Sequence, residues 1–116
     1  MSMYPWRAGE IITAEKLTAG MQRGLVNITP SQEIQNSGGT NNQWANTYYR
    51  GSETIVFDVP FAEIPTIQVT ARTNSPGVVL EASYTEVTTT GVVIFIARGN
   101  QTSTNVDWTA IGRPDL

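Results

Sequence analysis

Between Glu53 and Gly112 the apolar residues recur at every second position in short runs, and each run is closed by Gly, Pro, Asn or Ser. That period belongs to strands with one face buried, because successive side chains of a strand point to opposite sides. In the first run Ile55, Phe57 and Val59 share a face, with Thr54, Val56 and Asp58 on the other. Pro60 and Pro65 bracket a turn. After it Ile67, Val69 and Ala71 point one way while Thr66, Gln68, Thr70 and Arg72 point the other. Thr73 to Gly77 is a cluster of turn residues, and the run beyond it puts either Leu80, Ala82 and Tyr84 or Val79 and Glu81 inward. The first set fits better. Val92 to Arg98 is apolar on both faces, as a central strand covered from both sides would be. Val106, Trp108 and Ala110 then alternate with Asp107 and Thr109. With no helical pattern between these runs, the spacing predicts an antiparallel sandwich rather than a βαβ fold.

The preceding residues read differently. Tyr4, Pro5 and Trp6 form an extended lead-in, and large aromatics at a terminus imply that it is pinned onto something. Glu10 to Arg23 is the one predicted helix. Thr13 is its N-cap, Ile12 and Leu17 sit at hydrophobic-staple positions, Leu17 and Met21 share a face, and Gly20 or Gly24 ends it. About ten residues of helix are marginal alone in water, so this one must lean on another surface. Leu25 to Gln35 holds one short strand stopped by Pro30. Asn36 to Asn46 is polar and Gly-rich, and reads as a linker in which Trp44 is an anchor or a contact residue. Tyr48 and Tyr49 open the first strand region, which Gly51 interrupts. Two parts are therefore expected: an N-terminal attachment segment, residues 1–46, and a β-sandwich, residues 47–116.

Composition removes most chemistry. The 116 residues include no histidine and no cysteine, hence no hydrolytic triad with a histidine base, no disulfide and no thiolate or imidazole metal site. Glu53, Asp58, Glu63, Glu81, Glu86 and Asp107 are scattered among the strands and read as solubilising charges. No catalytic, cofactor-binding or metal-binding residue is assigned. Charged residues make up 15%, the net charge is −3 and the seven cationic residues are dispersed, which argues against a nucleic-acid surface. No apolar stretch is long enough for a membrane span or a signal peptide, so synthesis in the cytoplasm without membrane insertion is expected.

Two stretches resemble known families. Phe57, Pro60-Phe61, Pro65 through Val69, Thr88 through Ile94 and Trp108 through Gly112 resemble, in that order, the motifs of the H-type lectin-like module. The resemblance implies an all-β, antiparallel six-stranded β-sandwich, here preceded by a short helix, and a habit of assembling as trimers or pairs of trimers. Trp6 through Leu17 resembles the opening of many tailed-phage virion proteins, with Thr18 where an Asn is usual. Together the resemblances imply a small structural protein of a phage particle, located in the virion, non-enzymatic and without cofactor. Its partners would be its own copies, other virion proteins and, on the tail or fibre, a host-surface glycan.

On this reading Tyr4, Trp6, Ile12, Leu17 and Met21 make the attachment or oligomer contacts, and Trp44, Tyr48 and Tyr49 are the surface-recognition residues. The histidine of the lectin sugar site has no counterpart here, so no sugar-binding residue is carried over. Decoration of the capsid is the alternative within the same class. A free carbohydrate-binding module is the alternative outside it.

Overall fold

The structure, a computed structural model, describes residues 14–36, 46–73 and 80–116. Within them lie one helix, α1 (Ala14–Ala19), and seven strands. The strands are β1 (Met21–Ile28), β2 (Gln32–Asn36), β3 (Asn46–Val56), β4 (Thr66–Ala71), β5 (Leu80–Thr85), β6 (Gly91–Arg98) and β7 (Thr104–Ile111). They form two antiparallel sheets, one ordered β1-β7-β4 and the other β2-β3-β6-β5. The architecture is mostly β and sandwich-like, with seven strands among the described residues where six were expected.

The core lies between β6 and β7. Val92, Ile94 and Ile96 of β6 and Val106 and Ala110 of β7 are at most 1% exposed. Ile28, Ile67, Phe57 and Phe61 close around them. Phe57 meets Phe61 edge-on at 5.1 Å between ring centroids, and Trp108 lies 6.0 Å beyond Phe57. The inward set follows the period-two reading on β4 (Ile67, Val69, Ala71) and β7 (Val106, Trp108, Ala110). On β5 Leu80 and Ala82 follow it, but Tyr84, expected inward with them, is 43% exposed at the strand's end. The Pro-rich segment after β3 is tied down rather than loose. Phe57 and Phe61 amides donate to the carbonyls of Thr90 and Thr89, and Ala62 and Asp115 amides to those of Arg113 and Pro60.

The N-terminal part departs most from expectation. The helix expected over Glu10–Arg23 ends at Ala19, with the Gly20 amide donating to the Lys16 carbonyl at 2.9 Å. Met21 therefore starts a strand and does not share a helix face with Leu17. From there β1 runs antiparallel to β7 for its full length, Met21 opposite Ile111 and Ile28 opposite Thr104. Leu17, Met21 and Leu25 fall at helical intervals of four, yet the ladder to β7 satisfies eight residues of backbone at once and wins. The single short strand expected over Leu25–Gln35 is two strands, β1 and β2, separated by a buried Pro30. Each pairs with a different sheet, so residues 21–36, expected within an attachment segment, supply one edge strand to each layer.

Gly51 does not interrupt β3. A Cβ there would collide with the Thr29 carbonyl oxygen, so the glycine lets β3 pass under the β1–β2 crossing. Gly24 plays a related part on β1: it faces Trp108 in the register, and a Cβ would stand 2.9 Å from the indole ring. The expected Tyr4, Trp6, Thr13 and Ile12 contacts, the Trp44 loop and most of the 73–77 turn lie outside the described residues.

Two outcomes follow for stability. Ile94→Ala removes a side chain that is 0% exposed and should cost about 2–5 kcal/mol. Gly51→Ala forces backbone apart and should cost about 1–3 kcal/mol although it adds a single methyl. Urea denaturation of both variants checks this; a Gly51→Ala chain as stable as the parent would show that the crossing is not tight.

Candidate functional site

Among the described residues no three acidic side chains gather in a metal-binding arrangement, and no helix is long and apolar enough to cross a membrane. Three places in the fold stand out.

The first is the outer face of the four-stranded sheet. Because Ile94, Ile96 and Arg98 point inward, Val93, Phe95 and Ala97 point out, and all three are half-buried. The register flanks them with Thr54, Ser52 and Arg50 on β3 and with Thr85, Ser83 and Glu81 on β5. A shallow concavity of about 700 Å³ opens here, with Tyr48, Arg50, Glu81, Ser83 and Phe95 in its lining. Arg50 lies 6.0 Å from the centre of the Phe95 ring, and its Nε and Nη2 both donate to Gln32 Oε1, at 3.2 and 3.1 Å. That fork holds the guanidinium near the Phe95 ring. Of the predicted recognition residues, Tyr48 lines this concavity. Tyr49 pairs with Arg98 in the register and so turns to the opposite face. The two tyrosines are thus separated by the pleat.

The second lies at the inner end of the sandwich. Arg98 is only 6% exposed; its Nη1 donates to Thr104 Oγ1 at 2.6 Å and to the Thr102 carbonyl at 3.5 Å. Thr104 Oγ1 in turn donates to the Thr102 carbonyl at 3.0 Å, so one buried cation ties down the β6–β7 loop. The Arg98 Nε has no hydrogen-bond partner. This is a structural clamp, and sequence reading assigned it no role.

The third surrounds the end of α1. Leu17, Met21 and Leu25 are 58%, 46% and 52% exposed. Met21 and Leu25 stand on the outer face of β1, alternating with the inward Gln22 and Gly24. Gln22 latches this region to the segment after β3: its Nε2 donates to the carbonyls of Ala19 at 3.0 Å and Val59 at 2.8 Å. Leu17 and Met21, the two described members of the predicted attachment set, are therefore presented to solvent. Leu25 joins them; sequence reading placed it in a short strand apart from the expected helix and gave it no contact role. No protein-family model matches the sequence, and no curated protein matches it.

A charge pair closes the opposite edge. Arg72 Nε and Nη2 donate to the two oxygens of Asp107 at 2.7 and 2.8 Å. These hydrogen bonds, with the Arg72 charge, hold the Asp107 carboxyl below its usual range, although some desolvation works against them. A lowered folded value means that the pair's contribution is fully present above the ordinary aspartate range. It is lost as the pH falls through the folded value. Urea midpoints for the parent and Asp107→Asn, followed from about pH 6 to about pH 2, should converge as the carboxyl is protonated. A gap that stays constant would show that the pair is not ionic.

Proposed function

We propose that this chain is a non-enzymatic structural protein of a tailed-phage virion. Its N-terminal residues attach it, and its sandwich is displayed as a homotrimer on the tail or fibre, where it meets the host surface. The observation that carries the reading is the exposure of Leu17, Met21 and Leu25 on α1 and β1. Three large apolar side chains around one edge strand are costly to leave in water and are the usual mark of an assembly contact. β1 is also a sheet edge, and a closed trimer would cover it. The resemblance of Trp6 through Leu17 to virion openings points the same way.

A second reading, a free carbohydrate-binding module, is favoured by one feature: Tyr48, Phe95, Arg50, Glu81 and Ser83 share one open face. An aromatic floor with polar neighbours suits a sugar ring. A glycan array would show hits lost in Tyr48→Ala and Phe95→Ala if this holds.

Mass spectrometry of separated heads and tails tests the first reading. Recovery with tails is expected, recovery with heads would make the chain a capsid decoration, and absence from both would overturn the virion assignment. Leu17→Asp/Met21→Asp/Leu25→Asp should shift stability by only about 0.5 kcal/mol per site. Light scattering should nonetheless show the trimer lost; a trimer that survives would place the contact elsewhere.

A further inference from the structure

The outer face of the four-stranded sheet has a symmetry of its own. Along β6 runs an apolar column of Val93, Phe95 and Ala97. The register sets three rows across it: Thr54–Val93–Thr85, Ser52–Phe95–Ser83 and Arg50–Ala97–Glu81. The left and right columns match hydroxyl for hydroxyl, and only the last row breaks the match, with opposite charges. Arg50 and Glu81 stand two strands apart, about 10 Å between backbones, on either side of Ala97. Neither makes an ion pair within the chain among the described residues: Arg50 is held by Gln32, and Glu81 is exposed.

We propose that this face is a two-fold contact between two copies of the chain, with the axis running along β6. Such an axis lays the left column of one copy over the right column of the other. Arg50 then meets the partner's Glu81 and Glu81 meets the partner's Arg50, the hydroxyl columns oppose each other, and the apolar column packs on itself. The face is its own complement in shape of pattern and in charge, which is the requirement for an isologous contact. It explains why β6 is apolar on both sides although only one faces the core. It does not rest on the virion reading, since it uses a different surface from Leu17, Met21 and Leu25.

The two-fold covers only β3, β6 and β5, and three strands at their usual spacing with eight residues of β6 give a patch of roughly 14 by 27 Å, about 400 Å². That is less than the about 800 Å² per partner of a standard interface, so the contact should be weak and concentration-dependent.

The test is sedimentation velocity of the full chain across the micromolar range. The mass should double with concentration, from monomer to dimer or from trimer to hexamer. Arg50→Glu alone and Glu81→Arg alone each create two like-charge contacts and should weaken the doubling about tenfold or more. An equimolar mixture of the two variants should restore it, because one copy then carries two acids and the other two bases. The chain has no cysteine, so Ala97→Cys supplies a single thiol beside the axis. A bismaleimide spanning the about 10 Å between packed sheets should link it to its own copy. A mass that never doubles, a doubling indifferent to both reversals, or a mixture no better than its components would each overturn the proposal. If the reversed variants fail to fold by circular dichroism, the Ala97→Cys cross-link decides alone: formed, it supports the contact; absent, it refutes it.

Discussion

Everything in this fold depends on β6 and β7 burying their inward sides against each other. Val92, Ile94 and Ile96 meet Val106 and Ala110 with almost no exposure, and every other strand is arranged to keep water from that seam. β6 is interior to its sheet and β7 is interior to the other, so both have their backbone groups paired on two sides. The edges are left to β1, β2, β4 and β5. Two aromatic rings, Phe57 and Phe61, plug the end of the seam and are fixed by amides that donate to the Thr89 and Thr90 carbonyls. The burial is local to a small core, so the surfaces left over are large relative to the interior.

With no histidine or cysteine, the polar groups that remain are hydroxyls, amides and a few charges spaced along strands. Among the described residues the one deeply buried cation, Arg98, is committed to Thr104 and the Thr102 carbonyl. The open face over Phe95 and the exposed apolar positions around β1 belong to different sheets.

The sandwich was legible from residue 54 onward because period-two alternation there is unbroken, and the inward sets on β4 and β7 follow it directly. The early strands were not legible for a physical reason. The inward positions of β1 are Gln22, Gly24, Val26 and Ile28, so two of four carry no apolar signal, while Leu17, Met21 and Leu25 imitate a helix face. The apolar side chain that should have marked the Gly24 position is supplied across the ladder by Trp108, and no single-strand reading can see that. Gly51 misled in the same way: its small size answers to the Thr29 carbonyl above it, a long-range contact, and not to a break in the strand. Of the expected contact residues, Leu17, Met21 and Tyr48 stand on open surface, whereas Tyr49 faces the other way because neighbours in a strand must. Arg50, Glu81 and Phe95 went unassigned because only the register brings them into one row pattern.

Native-state hydrogen exchange read residue by residue puts the central claim to the most direct test. If β1 is a true member of the sheet, the amides of Met21–Ile28 that pair with β7 exchange slowly, close behind those of Val92–Ile96 and Val106–Ala110 and well behind the 99–103 loop. If instead Met21–Ile28 exchanges as fast as that loop while β6 and β7 stay protected, the early residues are an appendage and the seven-stranded account is wrong.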